Sequence, residues 1–452
     1  MVQNVTEIFQ KIQAATGLVG GAAVLIQNGR AETCYFGYSD REAGLPISEN
    51  TYFDIASCTK SFTAMTAALA VDRGWFDWDT PVKHYLPDFA VADPELSAKI
   101  TVRDLLSHRT GMPRHDFIDN LQIPDRDEVC ARYRFLEATE PYQQVYQYCN
   151  QMYVYFGYVL EHITGRSYEQ WLMEDLAKGA GLGIRVRSIP GCMEGLEHAK
   201  PYRTNGKTAC RVQYSMCPSE APDGSVRARL CDLEKWVRMM STGTGGLISE
   251  TQYQQLLKEN IRTAPTSDSY YTMGWRTTRR GGKKLYYHSG DMKGFNAMMG
   301  FLPGEDSGFA VLVNTNGTRA HEMVSEYLMD ELCGTQLADT DAAIAAWRAD
   351  RRAYDARRQQ MESLPPAQGV AAGVYEHPGY GRCTVAEEGG KTFLQYGVMR
   401  YELRQGEGQW IGYWKSPLVA EDYDVITLRK DGEDLLLNAG ENILWLRFQK
   451  QA

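Results

Sequence analysis

The sequence lacks the features of several large protein classes. It contains no apolar run close to the ~18–20 residues that a membrane-crossing helix requires. It has no long basic run, and its formal net charge of −9 disfavours a role in binding nucleic acid. Its ten cysteines form no C-x-x-C pair and no Cys/His spacing typical of a metal site. We therefore expect no membrane span, no nucleic-acid partner and no metal.

The first 17 residues also lack the basic start and apolar centre of a signal peptide. They predict instead an amphipathic helix with Val5, Ile8, Phe9 and Ile12 on one face. Cysteines scattered through a chain of 452 residues are typical of reduced, buried side chains. Together these features favour a cytoplasmic protein, with export as the alternative if a leader has been removed.

The segment Ser57-Cys58-Thr59-Lys60 is an S-x-x-K sequence at the start of an apolar run that predicts a helix over 59–73. Residues three apart share a helix face, so the Lys60 amine can lie beside the Ser57 hydroxyl and take its proton. The start of a helix also favours negative charge. Alone, this motif is more typical of a helix-start serine beside a solvated lysine than of a nucleophile.

A second motif is Tyr148-Cys149-Asn150, in a segment rich in tyrosine. Beside a lysine ammonium the anionic form of a phenol is favoured, so Tyr148 can shuttle a proton. The Asn150 amide can donate to a substrate carbonyl and also hold a lysine in place. Most tyrosines in such a segment are packing residues, so this motif is also weak alone.

The third motif, His288-Ser289-Gly290, ends a strand-like run and enters a turn. Gly290 lets a substrate backbone approach the strand closely. In this order, the three motifs resemble those of the serine β-lactamase and penicillin-binding superfamily, whose class A enzymes carry S-x-x-K, S-D-N and K-T-G. Tyr-x-Asn and His-x-Gly are similar to the branch of class C β-lactamases, DD-peptidases, D-aminopeptidases and esterases.

The same resemblance extends to the stretches 100–113, 156–172 and 294–303, and it covers roughly residues 15–335. It implies a serine hydrolase that works through an acyl-enzyme and needs no metal or organic cofactor. Its substrate would be a short peptide or another small molecule.

The resemblance also implies the roles of individual residues. Ser57 is the nucleophile, and Lys60 with Tyr148 forms the general-base system, in which Tyr148 returns the proton to the leaving group. Asn150 orients the acyl amide. The backbone N–H groups of Ser57 and Asp291 form the oxyanion hole.

His288 takes the place of the third-motif lysine, with Ser289 and Gly290 beside it at the substrate. We expect it near Tyr148 and the leaving group, where it tunes the proton network or binds a carboxylate. An unperturbed histidine is cationic only at or below a pKa near ~6.5, whereas a lysine is a permanent cation. This difference favours hydrolysis of amides or esters, such as peptides with a D-residue, over efficient β-lactamase activity.

The best-matched activity is therefore a peptidase of the D-aminopeptidase or DD-peptidase type. A carboxylesterase or a weak β-lactamase is the alternative within the same chemistry. A penicillin-acylated sensor or an inactive scaffold is the alternative in a different class. Ser57, Lys60, Tyr148 and His288 occupy all four chemical positions, which argues against an inactive scaffold. The sequence contains no recognisable signalling module, which argues against a sensor.

Four other residues near the motifs need a simpler interpretation. Cys58 and Cys149 are expected to be buried packing residues rather than reactive thiols. His108 and His115 flank a turn where the relatives place substrate-contacting loops, and they are secondary candidates for substrate contact.

The apolar pattern predicts an α+β fold for the first unit. Strand-like runs at both of its ends surround a helical middle from about 80 to 245, which predicts an antiparallel sheet, helices on its faces and an all-helical subdomain, with the active site at the seam. The predicted strands and closing helix are a hairpin over 20–38, runs at 270–278, 283–289, 295–302 and 308–315, and a helix at 319–332.

A second unit follows a helical linker. Short alternating strands with glycine turns from 369 to 448 predict a small antiparallel β-barrel. Its opening at 373–385 resembles the lipocalin-like C-terminal domain of some family peptidases. The predicted domains are 1–335, 336–366 (the linker) and 367–452. The barrel would cap the active site, mediate formation of a homo-oligomer, or only stabilise the chain.

Overall fold

The computed structural model describes residues 2–213, 217–415, 423–438 and 445–451. The helices are α1 Val2–Thr16, α2 Thr59–Asp72, α3 Val82–Tyr85, α4 Pro94–Ser97, α5 Val102–Ser107, α6 Arg126–Tyr133, α7 Asn150–Thr164, α8 Tyr168–Gln170, α9 Ala221–Gly224, α10 Leu230–Thr242, α11 Glu250–Leu257, α12 Ala320–Cys333 and α13 Thr340–Ser363. Short 3-10 turns at Ala56–Cys58, Asp116–Leu121 and Pro218–Glu220 border the site described below.

The strands fall into a large sheet, two small three-stranded sheets and a barrel. They are β1 Gly20–Gln27, β2 Arg30–Asp40, β3 Leu45–Pro46, β4 Phe53–Asp54, β5 Arg185–Val186, β6 Tyr202–Thr204, β7 Ala209–Arg211, β8 Val226–Ala228, β9 Ile261–Arg262, β10 Tyr270–Tyr271, β11 Arg276–Arg280, β12 Lys283–Met292, β13 Phe295–Leu302, β14 Ser307–Val313, β15 Thr315–Asn316, β16 Gly373–His377, β17 Gly381–Glu388, β18 Lys391–Tyr396, β19 Met399–Gln405, β20 Trp410–Lys415, β21 Tyr423–Asp431, β22 Asp434–Asn438 and β23 Leu446–Lys450.

The large sheet has nine antiparallel strands in the order β3-β2-β1-β14-β13-β12-β11-β10-β9. Strands from the two ends of the first unit therefore meet at the β1–β14 pair, where Ala22 lies opposite Leu312. The helical segments between α2 and α11 are inserted between these two groups of strands. The predicted α+β fold, with an antiparallel sheet flanked by helices, is confirmed.

The central strands are apolar on both faces because helices cover both faces. In β1, Ala22, Val24 and Ile26 belong to the apolar cluster of α2 and α10. The alternate residues Ala23 and Leu25 belong to the cluster of α1 and α12. Successive side chains of a strand point to opposite faces, so an uninterrupted apolar run is required at this position.

The N-terminal helix α1 agrees with the sequence-based prediction. Val5, Phe9 and Ile12 are fully buried, and Ile8 is 7% exposed. They pack against the sheet beside α12. The amphipathic segment is therefore part of the core of the first unit.

One predicted strand is wrong in its extent. The run 270–278 is divided into β10 and β11 by the turn that contains Gly274. Gly274 has a positive φ of 77°, and a Cβ there would lie 2.6 Å from the Lys60 carbonyl oxygen. The chain bends because this turn packs directly on the first residues of α2, which a continuous strand would not do.

The C-terminal strands β16–β23 form a closed barrel in sequential order, with β16 pairing back to β23. The predicted antiparallel barrel is confirmed, and α13 leads into it. Its likeness to lipocalins and the three domain boundaries stay predictions. Within the described residues, no helix is long and apolar enough to cross a membrane.

Candidate active site

Ser57 lies in the 3-10 turn between β4 and α2. The preceding residue, Ala56, has a positive φ of 48°, and this turns the chain sharply just before the serine. Gly290 of β12 packs on the same turn, because a Cβ on Gly290 would lie 2.1 Å from the Ile55 carbonyl oxygen. Gly290 is therefore needed for contact between the strand and the serine turn, a requirement that the sequence analysis had assigned to the substrate backbone.

Lys60 is fully buried one helical turn after Ser57. Its Nζ donates to Ser57 Oγ at 3.0 Å and to the Asp223 carbonyl oxygen at 2.9 Å. The Asp223 carboxylate lies 4.0 Å from the same Nζ. The predicted proximity of lysine and serine is present, and the second hydrogen bond fixes the amine against the hydroxyl.

Tyr148 lies two residues before α7, with its ring next to Lys60. The Lys60 Nζ is 5.0 Å from the Tyr148 ring centroid, and the Arg114 and Arg276 guanidinium carbons are 5.1 and 5.9 Å from it. The His108 ring lies 4.2 Å away. This surrounding of cations would stabilise negative charge that develops on the phenol oxygen during proton transfer.

Asn150 is the first residue of α7. Its Nδ2 donates to the Asp116 carboxylate at 3.3 Å. Its Oδ1 is buried, and it has no hydrogen-bond partner among the described residues. Asn150 thus borders the cavity at Ser57 with an acceptor that remains unused, whereas its donor is engaged by Asp116.

His288 is buried, and both ring nitrogens face hydrogen-bonding groups. Nε2 lies 3.0 Å from the Tyr271 hydroxyl and Nδ1 lies 2.7 Å from the Ser289 carbonyl oxygen. Burial, with the charges of Arg276 and Lys60, lowers the pKa of His288 well below its usual value. This shift disfavours the charged form of His288 that binding a carboxylate would require, and the role of His288 stays a prediction. The ring centroids of His288 and Tyr148 are 6.4 Å apart, so its nearness to Tyr148 is present.

The permanent positive charge on this side comes from Arg276 of β11, which the sequence analysis missed. Arg276 donates to the Tyr146 hydroxyl at 2.8 Å and lies against the rings of Tyr148 and Tyr271. No ion pair between Arg276 and a carboxylate is present among the described residues. No local motif identifies it, because it reaches the site from the strand next to the His-Ser-Gly motif.

Ser289, Gly290 and Asp291 follow His288 along the edge of the cavity. Ser289 is half-buried and pairs with Met298 of β13. Asp291 is exposed, borders the cavity with Ser57, and accepts a hydrogen bond from Asn316 at 3.0 Å. The oxyanion hole formed by the Ser57 and Asp291 N–H groups stays a prediction.

The cavity at Ser57 has a volume of about 190 Å³ and an acidic wall. Asp119, Glu220 and Asp223 line it together with Asn150, and the sequence analysis singled out none of these three carboxylates. Burial raises the pKa of all three: that of Asp119 well above its usual range, that of Glu220 to about 8 and that of Asp223 to about 6. Their mutual repulsion adds to the effect for Asp119 and Glu220.

The secondary candidates have structural partners. Cys58 and Cys149 are fully buried, as predicted, and burial raises the pKa of the Cys149 thiol to about 12. His108 is buried and its Nδ1 accepts from the Cys149 N–H, so it supports the Tyr148 segment. His115 is bonded to Tyr380 of the barrel at 2.5 Å.

All ten cysteines are unpaired, and seven are buried, whereas Cys210 is exposed. Among residues 2–213, 217–415, 423–438 and 445–451, no group of three or more His, Cys, Asp or Glu side chains is arranged to hold a metal ion.

Comparison with known proteins gives one family and several relatives. The family described as Beta-lactamase matches residues 5–333. The chain is 26% identical over 375 residues to the unguisins hydrolase ungD' of Aspergillus campestris, an alignment that covers 75% of this chain and 69% of that protein.

Two solved structures share the fold. An octameric penicillin-binding protein homologue from Pyrococcus abyssi is 19% identical, with a TM-score of 0.65 and 99% of each chain covered. The D-amino acid amidase from Ochrobactrum anthropi SV3 is 22% identical, with a TM-score of 0.60, covering 74% of this chain and 96% of the amidase. The first of these likenesses includes the C-terminal barrel, since it spans nearly all of both chains.

Proposed function

The chain belongs to the beta-lactamase family, and from this premise we propose that it hydrolyses amide or ester bonds through an acyl-enzyme on Ser57. The observation that carries the proposal is the 3.0 Å contact between Lys60 Nζ and Ser57 Oγ in a site where the lysine is fully buried. An amine held this close can receive the hydroxyl proton as Oγ attacks a carbonyl carbon.

The proton then returns to the leaving group. Lys60 and Tyr148 form one proton-transfer unit, since the amine lies 5.0 Å from the centre of the phenol ring. The leaving amine or alcohol departs with that proton, and an ester of Ser57 remains. Water attacks this ester, restores the serine hydroxyl and releases the acid. The N–H groups of Ser57 and Asp291 would stabilise the oxyanion in both steps.

The substrate class we propose is an amide, as in peptidases of the D-aminopeptidase or DD-peptidase type. Support comes from the names of two similar proteins, an unguisins hydrolase and a D-amino acid amidase. A second candidate, weak β-lactamase activity, is favoured by Arg276. Its guanidinium beside Tyr148 has no carboxylate partner among the described residues and would present a permanent cation to a substrate carboxylate, which the buried third-motif histidine would not.

We also propose that the barrel contributes to a homo-oligomer. The support is limited to the name of the octameric penicillin-binding protein homologue, whose chain resembles this one over nearly its whole length.

The experiment is active-site labelling combined with turnover of a chromogenic ester. A fluorophosphonate or a penicillin should add its mass to the peptide that contains Ser57, and Ser57→Ala should abolish both labelling and turnover. Ser267→Ala, in the turn before β10, is the control and should behave as the unmodified protein. Undiminished labelling or turnover in Ser57→Ala would contradict the proposal.

A further inference from the structure

Three carboxylates converge on the cavity at Ser57 from separate elements. Asp119 comes from the 3-10 turn Asp116–Leu121, Glu220 from the turn Pro218–Glu220, and Asp223 from α9. With Ser57 they line one cavity of about 190 Å³, enough for a small acyl group. We call these three residues the acidic recess.

The recess contains a carboxylate oxygen without a partner. Asp223 is 92% buried, with 8% of its surface exposed, and its Oδ1 has no hydrogen-bond partner among the described residues. Among the described residues, the Asp119 carboxylate accepts only from Gln151 Nε2, at 3.1 and 3.3 Å. A buried carboxylate oxygen without a donor is costly because it has lost water, and the Lys60 Nζ, 4.0 Å from this carboxylate, is too far away to donate a hydrogen bond to it. The Asp223 Oδ1 is therefore an acceptor that a donor on a bound ligand would stabilise.

Of the three cations around the recess, Lys60 and Arg114 are already committed to other groups. Lys60 donates to Ser57 Oγ and to the Asp223 carbonyl oxygen, and Arg114 is paired with Asp116 at 2.7 Å. Lys293 borders the cavity from an exposed turn. Burial, with repulsion from neighbouring carboxylates, raises the pKa of Asp119, Glu220 and Asp223. A further positive charge in this cavity would favour the ionised forms of these carboxyl groups. The charged or titratable groups that face the recess are Lys60, Arg114, Asp116, Asp291 and Lys293.

We propose that the acidic recess binds an ammonium group carried by the acyl part of the substrate. The acyl carbonyl must lie at Ser57 Oγ, so a cation in the same cavity is only a few bonds from that carbonyl. The substrates are then small aminoacyl amides or esters with a free α-amino group. This inference rests on the proposed acyl-enzyme at Ser57, and it separates an aminopeptidase from a DD-peptidase whose acyl group lacks a free amine.

The test uses matched substrate pairs. The kcat/KM of D- and L-alanine p-nitroanilide is compared with that of the N-acetyl derivatives at pH 7.5. The free amine should be preferred by about tenfold or more in one stereochemical series, the effect of a charge-assisted hydrogen bond. Glu220→Gln and Asp119→Asn should each reduce this preference by about tenfold. Glu95→Gln, an exposed carboxylate on α4, is the matched control and should keep the preference.

A binding measurement keeps the test independent of turnover and of the folding of the recess variants. Calorimetry on Ser57→Ala with alanine amide and N-acetylalanine amide should show tighter binding of the free amine. It should also show release of protons. A bound ammonium group lowers the pKa of the neighbouring carboxyl groups, so those that carry a proton in the free protein ionise. Proton release is measured by repeating the titration in buffers of different ionisation enthalpy.

The outcomes distinguish the two proposals. Labelling of Ser57 and turnover of the neutral ester, with equal kcat/KM for free and acetylated amines, would overturn the recess assignment and leave the hydrolase intact. Equal or absent binding of both amides to Ser57→Ala would overturn it as well. Preferential binding of the free amine without labelling or ester turnover would support the recess and contradict the hydrolase.

Discussion

Beside the His-Ser-Gly strand, Arg276 and not His288 supplies a fixed positive charge next to Tyr148. The two residues lie on neighbouring strands, and the Arg276 guanidinium is one of the groups that lowers the pKa of His288. The neutral His288 ring then bridges the Tyr271 hydroxyl and the Ser289 carbonyl oxygen. At this position the family's lysine is thus replaced by two residues, a neutral hydrogen-bonding ring and a charged side chain from the next strand.

We expect His288 to stay neutral between pH 5.5 and 8.5, because charging it would place a cation without solvent beside Arg276 and Lys60. Nitrogen-15 NMR of the imidazole should show no titration of the His288 resonances, which His288→Gln assigns by their loss. A titration midpoint between pH 6 and 7 would contradict this prediction. It would show that water reaches the imidazole and would favour the hypothesis that a charged His288 binds a substrate carboxylate.

The lowered pKa of His288 also makes the free energy of unfolding depend on pH. The unfolded chain protonates His288 near pH ~6.5, whereas the native chain does so only at lower pH, so stability falls as the pH drops below that value. The loss from one such group is at most about 1.4 kcal/mol per pH unit. His288→Gln should therefore show a shallower decline of the melting temperature between pH 6.5 and 5.

Residues of the site were predictable where local spacing places them. Ser57 and Lys60 are three residues apart where the 3-10 turn leads into α2, and this spacing alone brings them together. Arg276, Glu220 and Asp223 could not be found in this way, because they meet only after distant strands and turns have folded together. A carboxylate in a loop has no sequence signal that distinguishes a buried site from a solvated surface.

At the scale of elements, the site depends on the contact between β12 and the Ser57 turn. Gly290 has no room for a side chain, since its Cβ would meet the Ile55 carbonyl oxygen at 2.1 Å and the Ala56 Cβ at 3.1 Å. Both atoms belong to residues of the turn that carries the nucleophile. Any added atom must move the turn relative to the strand that carries Asp291.

Gly290→Ala should therefore lower kcat by about 10²-fold or more, the usual cost of displacing reacting groups by about 1 Å. Far-ultraviolet circular dichroism should remain close to that of the unmodified protein, because the clash lies at the site. Gly179→Ala is the control, since its Cβ would meet only the end of the Leu247 side chain. Equal kcat for the two variants would show that the turn yields without affecting the chemistry.

Helices and strands were predictable from the sequence where their apolar residues follow a regular pattern. The sequence predicts the buried strand β13 over the residues that form it, 295–302. A short apolar run bounded by turn residues on both sides is compatible with few structures other than a buried strand. The run at 270–278 is also strand-like in sequence, but it is broken at Gly274. The break arises from packing on the start of α2, a contact between residues more than 200 positions apart that no local pattern contains.

At the scale of the whole molecule, the barrel packs on the segment that carries part of the acidic recess. Tyr396 stacks on Phe117 with ring centroids 4.0 Å apart, and Tyr380 is bonded to His115. The Val398 N–H donates to the Asn120 carbonyl oxygen at 3.0 Å. These contacts lie at both ends of the 3-10 turn that carries Asp116 and Asp119. Buried side chains of the barrel also belong to the same apolar cluster as those of the first unit.

The barrel is therefore expected to position the recess rather than only to stabilise the chain. Gly397 offers a test that changes neither unit's chemistry, because its Cβ would lie 1.9 Å from the Asn120 carbonyl oxygen. Gly397→Ala must separate the barrel turn from the Asp116–Leu121 turn. Gly389→Ala is the matched control, since Gly389 also lies in a barrel turn with positive φ, at 58° against 51°, and its Cβ would meet nothing within 4 Å.

Both variants carry the same kind of backbone strain, so their difference isolates the contact with Asn120. We expect Gly397→Ala to retain labelling of Ser57, whose turn lies on another element, while the preference for a free-amine substrate falls by several-fold as Asp119 loses its support. Gly389→Ala should retain both. If Gly397→Ala keeps the full preference, the recess is held by the first unit alone, because Gln151 of α7 already binds Asp119. If labelling is lost together with the preference, the barrel supports the whole active site and not only its acidic wall.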